Sequence, residues 1–534
     1  MKNKLIIPIL TILFASSVFT ACQKGDLLSN PNVAAETSTV PASLILNHIT
    51  ATLQRGEDPI ISDVWKYDQY FVSNYSYYFG SNFYNWSNTG HTYDIVKYAN
   101  KMEEQAFKQF GNKTNVYYAL SKFFKAHSFV WLSERVGDIP MYQAGDVTIL
   151  EPKYDSQKEV FKNSLNMLDT ANTIIGALIS SANANTKVDA AGDIYGMTFL
   201  QWQKVINTYK LRVLISLSKR ADDNADLNVK AQFAAIISNP TKYPIMTANS
   251  DNMVYTYNSA YNQYPVNRAG YSPYGYAANM NKTVLDLLTT NKDPRTFAFA
   301  VPAPAQLAAP NSKAVSDFTA YVGADVNVSQ ATLSNNSTAG MYSFINWNRY
   351  FSNAAGANCE PYIFLGYPEM CFNIAEAANR GWIPGTVAAD WYLKGINASL
   401  GVYKLTQGQS FVIGNLDGTK PNMGTATIDI TTFLAQPGVV YAGDNAAGLT
   451  QILNQKYIAF FSNSGFQSFY NQRRTGVPTF SQGGAGIGTP NNAIPVRWLY
   501  PQDEINFNNA NLTTALTSQY GGSDNVNSLM WLIK

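Results

Sequence analysis

The sequence predicts a mainly α-helical protein in which pairs of helices form a scaffold that carries long irregular segments. Apolar side chains recur at positions i, i+3, i+4 and i+7 in several segments, which is the spacing of one face of an α-helix. Between these segments lie long stretches without that period, and loops of such length in a compact domain are usually functional. The chain has 534 residues, of which 46% are hydrophobic, so it can bury a large core.

The helical period is clearest in five segments. Gly137 and Gly381, each followed three residues later by a proline, end two of the predicted helices. Asp155 and Glu159 favour the start of another, because acidic side chains stabilise the first turn of a helix. The predicted helices cover residues 116–131, 155–175, 202–217, 367–378 and 449–460, and the irregular segments cover 64–94, 240–280, 300–350 and 405–445.

The N-terminus has the features of a secretory signal. Lys2 and Lys4 precede an uncharged apolar stretch, residues 5–19, which is too short for a comfortable transmembrane helix. Small residues then precede Cys22, and this pattern resembles the bacterial lipobox, in which the cysteine is lipidated before cleavage. An ordinary cleaved signal with a chance cysteine is the alternative. We therefore predict a lipoprotein signal peptide at 1–21 and a lipid anchor on Cys22.

The mature chain is predicted to have a short leader and one domain. Residues 22–39 are polar and turn-prone, as in a flexible leader. No proline- or serine-rich linker divides the remainder, so we expect a single domain at 40–534. Cys371 lies on the apolar face of a predicted helix, which favours a buried free thiol over a disulfide with Cys359.

The charge of the mature chain excludes some classes of partner. Removal of residues 1–21 removes two lysines, which leaves the basic side chains equal in number to the 36 acidic ones. A nucleic-acid-binding protein would show a basic surface, and so would a protein that binds membranes by charge. Only 14% of the residues are charged, while Asn, Ser, Thr and Tyr are abundant, so the surface suits neutral polar ligands.

The sequence contains no recognisable catalytic motif. No nucleophile elbow, phosphate-binding loop or dinucleotide fingerprint is present. His48, His91 and His127 show no metal-ligand spacing, and His127 lies on an apolar helix face that favours a core position. We therefore expect a protein that is not an enzyme.

Calcium binding and glycoside hydrolysis remain open alternatives. Oxygen ligands at Asp222, Asp223 and Asp226 could hold Ca²⁺, although a solvated helix end is favoured because the spacing lacks the later Glu and Gly of an EF-hand. We otherwise expect no metal or cofactor. Carboxylates of a hydrolase meet only in space, and Asp94 and Glu360 are the acids nearest to the aromatic segments.

Aromatic residues are concentrated in the irregular segments, interleaved with asparagine. Sugars present apolar C–H faces that stack on aromatic rings and hydroxyl groups that bond to amides and guanidinium groups. Core filling between helices is the alternative for each ring. The residues predicted to bind a glycan are Trp86, Tyr84, Asn85, Tyr274, Tyr276, Trp347, Asn346 and Arg349, with Trp86 as the first choice.

Several segments along the chain are similar, in the same order, to sequence blocks of one known family. The segments are 121–140, 151–160, 202–217, 369–382 continued at 391–396, 455–459, 470–476 and 496–501. The segment EMCFNIAEAANRGW at 369–382 is the most similar, and the ordered set is more specific than any single block. Together the segments resemble the SusD/RagB family, specifically its SusD-like branch.

This resemblance implies a fold of tetratricopeptide-like helix pairs packed against an irregular loop-rich part. It also implies a lipoprotein of the outer membrane, facing the cell exterior. Such a protein would pair with a TonB-dependent SusC-like barrel and would capture oligosaccharides as a lid over it, without catalysis. A RagB-like protein that captures peptides is one alternative. A barrel partner with little ligand affinity of its own is another. The blocks are mainly helix-packing signatures, so they indicate fold better than ligand.

Overall fold

The structure is a computed structural model. It describes residues 38–56, 62–86, 93–146, 148–181, 184–189, 192–257, 260, 264, 276–350, 360–416, 420–482 and 493–534. Contacts between Cα atoms divide the chain into a segment Met1–Pro41 and a compact unit Ala42–Lys534. The predicted signal peptide, Cys22, Tyr274 and Cys359 lie outside the described residues.

The described chain is mainly helical, as predicted. The helices are α1 (Ala42–Gly56), α2 (Asp63–Tyr67), α3 (Ser76–Phe79), α4 (Asp94–Phe110), α5 (Val116–Val136), α6 (Gln157–Ser181), α7 (Phe199–Ser216), α8 (Val229–Ser238), α9 (Lys282–Thr290), α10 (Arg295–Phe299), α11 (Pro304–Leu307), α12 (Gln330–Thr338), α13 (Trp347–Tyr350), α14 (Tyr367–Asn379), α15 (Ala388–Val402), α16 (Ile430–Leu434), α17 (Ala446–Ala459), α18 (Gln467–Thr475), α19 (Gln502–Phe507) and α20 (Asn509–Tyr520).

The strands are short, and all except β6 lie in the segments predicted to have no helical period. An antiparallel sheet has the strand order β1-β3-β5-β4, and two further antiparallel pairs join β2 to β6 and β7 to β8. The strands are β1 (Phe71–Ser73), β2 (Met253–Tyr255), β3 (Ala278–Met280), β4 (Ala300–Val301), β5 (Phe344–Ile345), β6 (Tyr362–Leu365), β7 (Ser410–Ile413) and β8 (Gly424–Thr427).

The five predicted helices correspond to α5, α6, α7, α14 and α17, with boundaries that differ from the predicted ones by up to six residues. Helix α6 begins at Gln157 rather than Asp155. The Asp155 carboxylate instead accepts hydrogen bonds from the backbone N–H groups of Met141 and Tyr142, both at 2.9 Å. Asp155 therefore ties the loop after α5 to the chain before α6. Gly137 ends α5 with a φ of 101°, a left-handed backbone angle that glycine adopts without a steric cost.

Helices that are neighbours in the sequence pack against each other, and buried ion pairs join these pairs to other helices. Helix α5 packs against α6, and α14 packs against α15. The Arg212 guanidinium on α7 donates to both oxygens of Glu369 on α14, at 2.6 and 2.5 Å. On the same helix, Glu376 accepts from Arg474 of α18 at 2.5 and 2.9 Å. The segments with family resemblance thus meet one another inside the helical scaffold.

Burial sets the charge states inside this scaffold. Burial alone would raise the pKa of Glu376, but the charges of Arg474 and Arg380 outweigh it and lower the pKa to about 2. His127 is 5% exposed, as the apolar-face prediction requires. Burial, together with Arg212 and Arg135, lowers its pKa to about 3, so the imidazole is neutral at pH 7.

The C-terminal segment packs against the end of α5 and is hydrogen-bonded to it. The backbone N–H of Trp498 donates to the carbonyl of Arg135, and the N–H of Leu499 donates to the carbonyl of Trp86. The Tyr500 hydroxyl donates to the carbonyl of Asp138 at 2.7 Å, and the Tyr520 hydroxyl donates to that of Val136 at 2.8 Å. This last part of the chain is therefore built into the core.

Two further features of the described residues are the character of their helices and the state of Cys371. None of the helices that the structure describes combines the length and the apolar character needed to cross a bilayer. Cys371 is a buried free thiol, as predicted. Burial raises the pKa of this thiol to about 12, so it carries no charge at neutral pH.

Candidate functional site

Most of the rings predicted to bind a ligand are buried. Trp86 is 1% exposed and lies flat against Trp498, with ring centroids 3.7 Å apart and planes 8° apart. Tyr84 is also buried, and its hydroxyl donates to the carbonyl of Tyr67 at 3.0 Å. The interpretation of Trp86 and Tyr84 as exposed platforms is therefore corrected: in this structure both are core rings.

The predicted cluster around Trp347 is likewise occupied by protein contacts. Trp347 and Asn346 are both buried, and the Asn346 amide donates to the carbonyl of Phe297 at 3.1 Å. Arg349 forms an ion pair with Glu360 at 2.8 Å, and its guanidinium lies over the ring of Tyr403. Trp347 and Asn346 are therefore covered by protein, and the partly exposed guanidinium of Arg349 is already paired with a carboxylate.

Two predicted residues are exposed. Asn85 is exposed, and Tyr276 has 45% of its surface open to solvent. The ring of Tyr276 lies 5.4 Å from that of Trp347, which supports it from the core side. Asn85 and Tyr276 remain predictions as ligand contacts, and Tyr274 lies outside the described residues.

The structure shows a different arrangement near these residues, a cleft of about 490 Å³. We call it the Phe83 cleft. One wall is the segment 76–83 and the other is the segment 326–333. The residues that line it are Ser76, Ser81, Asn82, Phe83, Val326, Asn327, Val328, Ser329, Gln330 and Leu333.

The end of strand β1 holds both walls of the Phe83 cleft. The backbone N–H of Ser73 donates to Asn82 Oδ1 at 2.8 Å, and Asn82 Nδ2 donates back to the Ser73 carbonyl at 2.9 Å. Gln330 Nε2, on the opposite wall, donates to the same carbonyl at 3.2 Å. Because one strand end is bonded to both walls, the cleft is largely preformed.

A buried asparagine connects this cleft to Tyr276. Asn74 follows β1 and is 5% exposed. Its Nδ2 atom lies within 2.9 Å of the Tyr276 carbonyl, Asn279 Oδ1 and Ser337 Oγ. Since Ser337 lies on α12, which forms part of the second wall, Tyr276 and both walls share one bonded framework.

Exposed rings surround the first wall. Phe83 is 45% exposed at the cleft, and Tyr75 and Tyr77 are 50% and 80% exposed. With the half-buried Tyr78, these tyrosines form a triangle whose ring centroids are 5.2 to 6.2 Å apart. We call Tyr75, Tyr77 and Tyr78 the tyrosine triangle. Large exposed aromatic groups of this kind mark interaction surfaces.

The side chains that line the Phe83 cleft are suited to binding a ligand. Its lining offers a phenyl ring, amide groups and hydroxyls, and it contains no acidic, basic, histidine or cysteine side chain among the described residues. Lys66, which lies behind the first wall, is buried and donates to the carbonyls of Phe79 and Ser81. Its charge is paired with Asp63 at 2.8 Å, so it supports the wall from inside.

The acidic segment considered for calcium is occupied by ion pairs. Asp222 pairs with Lys230, Asp223 with Arg220 at 3.0 Å, and Asp226 with Lys158 at 2.8 Å. No cluster of three metal-ligating side chains occurs in the part of the chain that the structure describes.

The sequence pattern indicates the first wall of the Phe83 cleft but not the second. The aromatic density of 64–94 pointed to the first wall, but its local pattern could not separate the exposed Phe83 and Tyr77 from the buried Trp86. Residues 326–333 contain no aromatic side chain and lie in the irregular segment 300–350. Their only local signal is Ser329, which caps α12 by accepting from the N–H of Thr332.

Comparison with known proteins identifies the family. No curated protein sequence matches the chain. The model of the SusD-like family, described as starch-binding and associating with the outer membrane, matches residues 31–501.

Solved structures agree with this match. A SusD homolog from Bacteroides fragilis superposes with a TM-score of 0.76 at 27% identity and covers 92% of this chain and 100% of its own. A second from the same species gives 0.72 at 29% identity and covers 93% and 99%. A chitin-binding SusD homolog from Flavobacterium johnsoniae shares the fold, with a TM-score of 0.65 at 20% identity and coverage of 92% and 98%. The helix pairs thus have the tetratricopeptide-like arrangement of SusD homologues, and the chain belongs to the SusD-like family of starch-binding proteins that associate with the outer membrane.

Proposed function

We propose that this protein captures oligosaccharides at the cell surface and delivers them to a TonB-dependent SusC-like transporter, without catalysis of its own. The observation that carries this proposal is the Phe83 cleft, where a half-exposed ring faces amide and hydroxyl groups beside the tyrosine triangle. A ring can stack on the C–H face of a sugar while amides bond to its hydroxyls. The family description and the chitin-binding structural relative support the same ligand class.

The uncharged lining indicates neutral glycans rather than acidic ones. An acidic sugar would lose water from its carboxylate without gaining a counter-charge from any of the ten lining residues. Among the residues of the tyrosine triangle there is again no charge. We therefore expect binding of methyl-esterified galacturonan oligomers to exceed that of the free acids, and the affinity for neutral sugars to change little with salt concentration.

Titration calorimetry against a panel of neutral oligosaccharides tests the proposal. Phe83→Ala and Tyr77→Ala are each expected to weaken binding by about 1–2 kcal/mol, roughly a tenfold rise in Kd. Phe507→Ala and Tyr142→Ala are matched controls, because these rings are 71% and 63% exposed on other parts of the fold. Binding of peptides without binding of any glycan would move the protein to the RagB-like alternative.

Attachment and partnership need separate experiments. We propose that Cys22 carries the lipid and that the polar leader 22–39 lets the folded unit move as a lid at the outer face of the outer membrane. Radiolabelled palmitate should label the wild-type chain and not Cys22→Ser.

A large outer-membrane barrel should co-purify with the labelled protein. Co-purification of the barrel without measurable glycan affinity would favour the assembly-partner alternative. Release of shortened glycan products would contradict the absence of catalysis.

A further inference from the structure

A second cleft of similar size lies apart from the Phe83 cleft. Its volume is about 460 Å³, and its walls are α9, α17 and the segment 477–481. No residue lines both clefts. We call it the Asn454 cleft, after a side chain of α17 that lines it.

One buried glutamine fixes two of the walls against each other. Gln69 is 2% exposed. Its Nε2 donates to the carbonyl of Ser481 at 2.6 Å, and its Oε1 accepts from the N–H of Ser481 at 2.9 Å and from the hydroxyl of Thr283 at 2.8 Å. Since Thr283 lies on α9, the spacing between α9 and the segment 477–481 is set before any ligand arrives. The cleft is therefore a preformed cavity.

The lining combines hydroxyl groups with apolar side chains and no net charge. Thr290, Thr450 and Thr479 contribute hydroxyls, and the partly buried Leu287 and Val477 contribute apolar surface. Lys282 and Asp286 also line the cleft, but they form an ion pair with each other. A neutral ligand with both apolar faces and polar groups matches this lining.

An unpaired acceptor adds a requirement for a donor. Asn454 Oδ1 is buried and has no hydrogen-bond partner among the described residues. A buried acceptor without a partner costs about 1–3 kcal/mol. Asn454 lines the cleft, and a rotation of its amide would turn this acceptor towards a ligand hydroxyl, so Asn454 favours a ligand that carries O–H or N–H groups.

The walls favour a carbohydrate over a peptide. One common mode of peptide binding adds an extended strand to an exposed sheet edge, where backbone groups are available. Two walls of this cleft are instead the helices α9 and α17, whose backbone groups bond within the helix except at their ends. These walls present mainly side-chain groups, and a polyhydroxylated molecule can meet several of them within a short distance.

We propose that the Asn454 cleft is a second binding site for neutral carbohydrate, separate from the Phe83 cleft. The first test is calorimetry of the folded chain with maltohexaose and chitohexaose, using Phe83→Ala/Tyr77→Ala as the background in which the first cleft is disabled. Binding should persist in that background. Adding Asn454→Leu should weaken the remaining binding at least tenfold. Asn166→Leu, an exposed asparagine on α6, is the matched control and should change nothing.

The two proposals fail in different ways. If the first cleft alone binds sugar, the Phe83→Ala/Tyr77→Ala chain will bind neither oligosaccharide, which overturns the second site and leaves the proposed function intact. If Asn454→Leu abolishes binding in the wild-type background while Phe83→Ala has no effect, the second site stands and the first does not. Residual binding that is insensitive to Asn454→Leu, or that is shown by neutral peptides and by neither sugar, also overturns this inference. Urea unfolding should show Asn454→Leu to be at least as stable as the wild type, because the substitution removes a buried acceptor that has no partner.

Discussion

Replacement of Trp86 by alanine tests whether this ring stabilises the core or binds a ligand. The indole is 1% exposed, stacks on Trp498 at 3.7 Å and meets Phe469 edge to face at 4.5 Å. Removing a buried tryptophan costs about 3–5 kcal/mol, from lost transfer energy and the cavity that remains. No hydrogen bond is lost, since Trp86 Nε1 has no partner among the described residues. The expected cost is a large part of a typical stability of about 5–15 kcal/mol.

Urea unfolding followed by circular dichroism measures this cost. The midpoint of Trp86→Ala should fall strongly, and that of Trp86→Phe should fall less because a ring still fills most of the space. The glycan affinity of the folded Trp86→Phe chain should equal that of the wild type. Tyr77→Ala is the opposite case: its ring is 80% exposed, so stability should change by less than about 0.5 kcal/mol while affinity falls. Unchanged stability with lost binding in Trp86→Ala would refute the burial argument.

Three further predictions concern the scaffold. The folded pKa of Glu376, about 2, lies below its usual value of 4.5, so its pairing with Arg474 stabilises the fold above pH 4.5 and is lost as the pH falls towards 2; Glu376→Gln should flatten this part of the stability–pH curve. Gly395→Ala in α15 should lower the unfolding midpoint rather than raise it as helix propensity would, because the new Cβ would lie 2.7 Å from the ring of Phe372; a raised midpoint would contradict this. Cys371, in a chain whose other cysteines are replaced by serine, should react with a thiol reagent only after unfolding, because burial raises its pKa to about 12.

The helices were predictable because their signals are local. The apolar period and the glycine stops placed α5 and α14 to within a few residues. Asp155 shows the limit of local signals. Its side chain suits a helix N-cap, but the N–H groups of Met141 and Tyr142 needed an acceptor and the carboxylate bonds to them instead. Competition between partners of this kind is decided by the fold.

The candidate site was predictable as a region and not as a set of residues. Trp86 and Phe83 lie in the same aromatic segment, and which of them is buried depends on Trp498, near the other end of the chain. The second wall of the Phe83 cleft has no aromatic side chain, and its position depends on the hydrogen bonds from Gln330 to Ser73 and from Asn74 to Ser337. Neither relation leaves a trace in the local sequence.

The hydrogen bonds between the C-terminal segment and the end of α5 affect how fast the chain folds. The hydrogen bonds from the Tyr500 hydroxyl to the Asp138 carbonyl and from the Tyr520 hydroxyl to the Val136 carbonyl join residues that are 362 and 384 positions apart in the sequence. Contacts between such distant residues form late and slow folding, since the intervening chain must first be ordered. During synthesis the hydrogen bonds to the end of α5 cannot form until Tyr500 and Tyr520 have emerged, and a chain cut short before Trp498 leaves Trp86 without its stacking partner. This part of the core is therefore completed only after the 384 residues that follow α5, up to Tyr520, have been made.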